Sequence, residues 1–496
     1  MSHELKYAKP KSLVAGSATA ELLKLAMPII GMMVSRMLMG FIDFVMVSRL
    51  GTDAQAAISP ATIFVFALAC LGMGAAQSVQ TFVSQANGRG EPEKSGGYAW
   101  QVFYIAAICG IATLPIVLTT DIWFGWLASF GGHEAGVAAL EVDYIRIALW
   151  SVAPAVVCAG LTGFFNGIQR PGLSLIAVLA SLLINVLGNY ALIFGNWGFP
   201  EMGIQGAAVA TVLAWTLRTI ILTGALLLPK IDARYNTRKS ILLDREKMAG
   251  ILRVGGPTAI QWLIDIGAWV VFMALIVPAY GKIAMAASNV ALQYMHFSFM
   301  PAIGIGMALC SQVGFSIGEG RPDDARMRAK VAMRLTAIYM GIVGLIMALG
   351  GYPLMALMSK DPEVIRIGVY VLIWAAIFQV FDAMGITYMN ALRGAGDTRV
   401  PAMMVAFCCW VIFICGGYGT SIWLKSWGLN GPWSMCTIYI SLLGLLLWAR
   451  WRLGRWRTIR LFDKQPKSDV APRDEPDPGE ETIAGEQPAP LPLPAD

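Results

Sequence analysis

Apolar residues arrive in twelve long runs, near 19–49, 54–85, 97–120, 137–168, 173–195, 204–228, 249–280, 283–316, 327–351, 363–391, 400–424 and 431–450. Each run is long enough to cross about 30 Å of hydrocarbon as a helix rising about 1.5 Å per residue. The pattern predicts an all-α membrane protein of about twelve transmembrane helices. Several runs exceed the length needed to span, and those helices are expected to tilt or project beyond the bilayer. The longest polar interruption, 229–248, carries six basic side chains. It divides the runs into an N-lobe, 19–228, and a C-lobe, 249–457, and is expected to link them on the cytoplasmic side. Residues 1–18 are polar and form a short cytoplasmic segment, so the first run is expected to serve as its own targeting signal. From about 465 to 496 the chain turns to Pro, Asp and Glu. That composition cannot bury a core, and a disordered cytoplasmic tail is expected there.

The two halves echo one another. Gly88-Arg89-Gly90-Glu91-Pro92 returns as Gly318-Glu319-Gly320-Arg321-Pro322, shifted by 230. Gly51 and the residues after it return at Gly281, at the same shift, and Asn166-Gly167 returns at Asn390-Ala391, shifted by 224. Each echo is weak alone, but three in one order at nearly one offset point to a duplication. Duplicated membrane chains commonly build two pseudo-symmetric bundles with a site between them, a plan of secondary transporters.

Composition agrees with a membrane location: 57% of residues are apolar and only 14% charged, against about 25% charged in soluble domains. The loop charges are one-sided. With a cytoplasmic N-terminus, the inner loops gain Arg89, Lys94, Arg170, the six cations of the linker, Arg321, Arg393 and the run Arg450, Arg452, Arg455, Arg457 and Arg460. The outer loops hold only Arg49, Lys282, Lys360, Arg366 and Lys425. This bias places both termini in the cytoplasm. The net charge of +6 therefore calls for anionic lipid headgroups rather than nucleic acid. The eight cysteines all fall inside predicted spans without zinc-ligand spacing, and read as small buried apolar residues. With only three histidines, no metal cluster is expected. No nucleotide loop, HExxH stretch or Ser/His/Asp set is present, so the energy for transport must come from an ion gradient or another subunit.

Charges inside the spans are rare and therefore informative. Asp43, Asp265 and Asp382 each sit deep in an apolar run. A carboxylate there costs about 2.5 to 3.5 kcal/mol to insert. It must face protein or water, pair with a cation, or stay protonated. Reversible protonation suits proton coupling, whereas clustered oxygens suit sodium. Bonding to a neighbouring helix with no role in transport is the plain alternative. Arg36 lies two turns before Asp43 and is placed to neutralise one of the acids. Arg146 and Arg218 lie nearer span ends or packed faces and take no assigned role. Asn185 and Asn189, one turn apart, can share a face and bond a carboxylate, a cation or each other. Among the aromatic residues, Phe378 shares a helix face with Asp382, and Trp269 and Tyr294 populate the same spans. Cation–π contact would let such rings bind organic cations.

These features resemble the multidrug and toxic compound extrusion (MATE) family, in its NorM-like bacterial branch. The resemblance covers about 19–450 and rests on Leu25-Ala26-Met27-Pro28, Ile42-Asp43-Phe44-Val45-Met46, Gly198-Phe199-Pro200-Glu201-Met202-Gly203, Ala286-Ala287-Ser288-Asn289 and Leu392-Arg393-Gly394-Ala395-Gly396-Asp397-Thr398. It implies two six-helix lobes in a V and export of organic cations by antiport with H⁺ or Na⁺. It implies coupling residues at Asp43, Asp265, Asp382, Asn185 and Asn189; the aromatic faces add the expectation of a substrate site drawing on Phe378, Asp382, Asp265, Trp269 and Tyr294. It implies Na⁺, where sodium couples, at Asp265 and Asp382, with no resident cofactor. Asp265 stands where the branch commonly carries Glu, and Asn289-Val290 where His-Gln is usual. The expected protein is a monomeric multidrug exporter of the bacterial inner membrane, not an enzyme. The runner-up is a lipid-linked oligosaccharide flippase of the same superfamily, whose cavity should carry Arg or Lys for phosphate. A membrane-embedded enzyme comes last, for want of a catalytic constellation.

Overall fold

A computed structural model describes residues 15–122 and 135–462. His3, His133, most of the 1–18 segment and the 465–496 tail lie outside the described residues. Among the described residues twelve helices are long and apolar enough to span a membrane. In chain order they are α1 (Gly16–Ser48), α2 (Thr52–Gly88), α3 (Pro92–Leu118), α4 (Gly136–Gly167), α5 (Pro171–Phe194), α6 (Gly203–Leu226), α7 (Arg245–Tyr280), α8 (Lys282–Gly318), α9 (Pro322–Leu349), α10 (Pro362–Ala395), α11 (Arg399–Trp423) and α12 (Asn430–Arg452). Every predicted run corresponds to one of them.

The largest boundary differences are at α3 and α9, which each begin five residues before the predicted run. Their first turns are polar and read as loop. Yet Pro92 and Pro322 stand at helix starts, where a missing N–H costs nothing, and Glu93, Asp323 and Asp324 face the positive end of the helix dipole. The linker also holds a short helix, Pro229–Tyr235, that apolar patterning does not announce. It is tied to the first half: the Trp100 indole donates to the Thr237 carbonyl, and Thr237 Oγ1 to the Leu226 carbonyl at 2.9 Å. At α7 the Asp244 carboxylate caps the helix, accepting from the Glu246 and Lys247 amides at 3.1 Å each.

The sequence echo is a backbone echo. Gly51 and Gly281 precede α2 and α8 with φ of 123° and 93°, and Gly90 and Gly320 follow those helices with φ of 73° and 74°. These left-handed values favour glycine, which explains why it survives in both copies. Contacts between halves obey the same symmetry: α1 packs along α8, and α7 along α2. One apolar core fills the first half around Ile145, Leu149, Phe164 and Phe165. Another fills the second around Phe272, Phe378, Phe413 and Trp433. A third joins Leu22, Ile29 and Met32 of α1 to Leu309 and Val313 of α8 and Leu392 of α10.

At the end bearing the linker, the halves meet in a layer of small residues and amides. Gln80 Nε2 donates to the Met307 carbonyl at 2.7 Å and to Ser311 Oγ at 2.8 Å. Thr81 Oγ1 donates to the Arg393 carbonyl at 2.9 Å, and Gln85 Nε2 to the Gly394 carbonyl at 3.0 Å. Arg393 Nη1 returns a bond to Gln77 Oε1 at 2.9 Å. Gly88 and Gly318 pack backbone to backbone, with no room for a Cβ on either. Lipid removes the hydrophobic drive between helices, so close packing and hydrogen bonds of this kind hold them together. After α12 the chain crosses this end, and Phe462 lies edge-on to Phe82 and Tyr98 of the first half.

Candidate functional site

Between mid-depth and the far end lies a cavity of about 580 Å³ in the first half. Its wall is built from α1 (Arg36, Asp43), α2 (Ser59, Thr62), α4 (Tyr144, Ser151), α5 (Ser181) and α6 (Thr211, Trp215, Arg218). Gln293 and His296 of α8 close it from the second half. The amide of Asn189 donates to Asp43 Oδ1 at 2.5 Å and leans on Asn185 Oδ1 at 3.5 Å. Three of the five coupling candidates therefore form one constellation on α1 and α5, as the one-turn spacing of the two Asn residues allows. Asn189 Oδ1 remains buried without a hydrogen-bond partner, and the Asn185 amide lies close enough to act on Asp43. The group can present one carboxylate, with amide donors and acceptors behind it, to whatever enters the cavity.

The other two acids form a separate group. Asp265 accepts from Cys409 Sγ at 3.6 Å, and Asp382 lies close enough to interact electrostatically with Asp265. Neither lines the 580 Å³ cavity. Phe378 is 2% exposed and part of the second-half core. Trp269 packs on Phe413 with ring centroids 5.0 Å apart. The Tyr294 hydroxyl donates to the Leu354 carbonyl at 2.6 Å. These rings build the second bundle rather than the first-half cavity. Among the described residues no group of three or more His, Cys, Asp and Glu could hold a metal ion.

Comparison with known proteins decides what this arrangement belongs to. The MatE family model matches residues 28–191 and again 257–418. The chain belongs to the MatE family. That double match is the duplication seen in the echoes, and the family is one of transporters, not enzymes. The probable multidrug resistance protein NorM of Idiomarina loihiensis is 28% identical over 456 residues, covering 90% of this chain and 95% of that protein. The multidrug resistance protein PmpM of Pseudomonas aeruginosa is 27% identical, covering 91% and 94%. The solved structure of the eukaryotic MATE transporter AtDTX14 superposes with a TM-score of 0.78 at 21% identity, covering 89% of this chain and 97% of that one.

Two readings from the sequence of this MatE chain change. Arg36 forms no ion pair with Asp43 or any other acid among the described residues; its guanidinium lies 5.8 Å from the centroid of the Trp215 ring. Arg218, which had no role, lines the cavity and covers the same ring at 5.4 Å. It was overlooked because its depth along α6 says nothing about its neighbours. The available signal is an arginine inside a span that carries no acid of its own.

Proposed function

We propose that this MatE chain is a secondary active multidrug exporter that moves amphipathic organic compounds, cations among them, by antiport with H⁺ or Na⁺. The observation that carries the reading is Asp43, tethered by Asn189 on the wall of a 580 Å³ cavity, while the linker end is sealed by the amide layer. A cavity of this size lies in the range of small-molecule sites, about 300 to 1,000 Å³. The names of the NorM and PmpM relatives support the same class of cargo. In this mechanism Asp43 holds a proton or faces a cation in turn, and the two halves rock about the layer that joins them. Inward movement of one net charge through 100 mV supplies about 2.3 kcal/mol, roughly fortyfold in concentration, whereas one H⁺ exchanged for one monovalent cation moves no net charge and is driven by the pH gradient alone. Asp265 and Asp382 are the oxygen ligands we assign to Na⁺, where sodium couples. The basic linker end faces the cytoplasm of a bacterial inner membrane, and the working unit is a monomer.

The test is efflux of a fluorescent cation from proteoliposomes, with pH and sodium gradients imposed separately. Asp43→Asn should cut gradient-driven efflux at least about tenfold, the loss of one charge-assisted interaction, with insertion and folding intact. Efflux at the wild-type rate in that variant would refute the assignment. The lipid-linked oligosaccharide flippase has one observation in its favour, since Arg36 and Arg218 both line the cavity. Against it stand the modest volume and the carboxylate facing the same space.

A further inference from the structure

We propose that the first-half cavity contains an anion subsite, formed by Arg36 and Arg218 over one ring, Trp215, and that it takes an amphipathic organic monoanion such as an aryl carboxylate. Four observations carry this. Both guanidinium groups lie over the same indole, 5.8 and 5.4 Å from its centroid. They are near enough to repel each other, and they line one cavity. Neither has a carboxylate partner among the described residues. Arg218 spends one nitrogen on Thr162 Oγ1 at 3.1 Å and leaves its Nε buried without an acceptor.

The charge count of the wall points the same way. The ionisable groups that face the cavity are Asp43 from α1, Tyr144 from α4, Arg218 from α6, His296 from α8 and Arg36 itself. The two guanidinium groups stand against the one carboxylate of Asp43, which already accepts from Asn189. Asp43 is seven residues from Arg36, about 10 Å along the helix, too far to neutralise it. One net positive charge is left in a site walled by apolar side chains. A buried cation needs an anion or water, and a planar guanidinium matches a planar carboxylate with two parallel hydrogen bonds. The indole and the methionine and phenylalanine side chains around it (Met39, Phe44, Phe66) supply a surface for an aromatic or aliphatic body. The cavity volume favours a compact soluble anion over a lipid headgroup with its chains. The inference goes beyond cation export and holds whether or not the chain exports cations.

Equilibrium dialysis on the purified full chain, at one fixed pH, tests it with three radiolabelled probes of one skeleton: 2-naphthoate, 2-naphthamide and 2-naphthylmethylammonium. Wild type should bind the naphthoate at least about tenfold more tightly than the amide, the worth of one charge-assisted contact. Arg36→Gln should erase that preference and leave binding of the ammonium probe equal or tighter. Arg36→Lys, which keeps the charge but loses the fork, should retain part of the preference. Melting temperatures of the variants, followed by size-exclusion chromatography, establish that they fold. Should Arg36→Gln fail to fold, Arg36→Lys and the wild-type comparison still decide. Equal binding of naphthoate and naphthamide by wild type would overturn the proposal. So would an Arg36→Gln variant that loses all three probes alike. Displacement of naphthoate by dihexanoyl-phosphatidylglycerol at lower concentration than by unlabelled naphthoate would overturn the soluble-anion assignment and give the site to a lipid headgroup.

Discussion

Replacing Gly88 with Ala should hold the linker end open. A Cβ built on Gly88 would sit 2.1 Å from the Phe315 carbonyl oxygen, 2.9 Å from its carbon and 3.0 Å from Gly318 Cα. All three obstacles are backbone, so no side-chain rotation relieves them. The nearest comfortable carbon–oxygen approach is about 3.3 Å, which asks α2 and α8 to separate by roughly 1 Å. That separation also strains the bonds from Gln80, Thr81 and Gln85 across the same seam. Overpacking of a tight interface costs about 1–3 kcal/mol, a five- to 150-fold shift in the balance between sealed and open states. Spin labels at Glu93 and Lys330, both exposed at this end, would read it by pulsed electron resonance in a background lacking the exposed Cys415. The label distance should lengthen and broaden in Gly88→Ala. Gly224→Ala, at the same end with nothing within 4 Å of the new Cβ, should leave it unchanged. An unaltered distance distribution in Gly88→Ala, with wild-type efflux, would show that this glycine contact does not govern closure.

Other substitutions test other parts of the frame. Arg450 Nε holds Asp397 Oδ2 at 2.8 Å, and Asp397 is 4% exposed; Arg450→Ala strands a buried carboxylate and should cost about 3–5 kcal/mol, read as a lowered melting temperature in detergent. Asp244→Ala removes the cap of α7 and should cost about 1 kcal/mol, measured the same way. The Lys247 ammonium beside it holds the Asp244 carboxyl below its ordinary value. Its contribution is thus full above the usual carboxylate range and lost as pH falls through the lowered one, so the gap between wild type and Asp244→Ala should close in acid. Asp265→Asn or Asp382→Asn should weaken sodium-stimulated efflux and spare a proton-driven component; wild-type export insensitive to sodium would remove the sodium role from both.

Much of the frame was legible because it depends on local pattern. Runs of apolar residues locate all twelve spans, and the glycines of the echo mark the turns that need left-handed backbone. The polar first turns of α3 and α9 hid their true starts, although Pro92 and Pro322 with acids behind them are start signals. The one-turn spacing of Asn185 and Asn189 allowed a bond to a carboxylate but did not name Asp43 as its partner. The Arg36 environment did not follow, because a two-turn separation from Asp43 describes one helix and says nothing of Trp215 on another. Phe378 shows the same limit: sharing a face with Asp382 did not keep it out of the core, since neighbouring helices decide which part of a face is covered.

The repeat also shows how the two bundles differ at the level of Asp43. Offset by the 229 residues that separate Pro28 from Pro257, Asp43 corresponds to Phe272, and Arg36 to Asp265. In the first half, α1 and α5 meet through the polar pair Asp43 and Asn189. Their repeats, α7 and α11, meet through Phe272 and Phe413, with ring centroids 4.6 Å apart. Phe272 then meets Trp433 at 5.4 Å, and Phe413 stacks on Tyr439 at 4.8 Å. Four large rings occupy the space that a carboxylate and an amide leave vacant in the other bundle. The acid of α7 sits seven residues earlier instead, bonded to Cys409 of α11. Duplication thus preserved the backbone and its glycines while the chemistry of the two bundles diverged. One holds Asp43 and two arginines on the wall of a largely apolar cavity, the other a packed aromatic core with two acids beside it. Two halves that differ in this way can bind different ligands while sharing one seam.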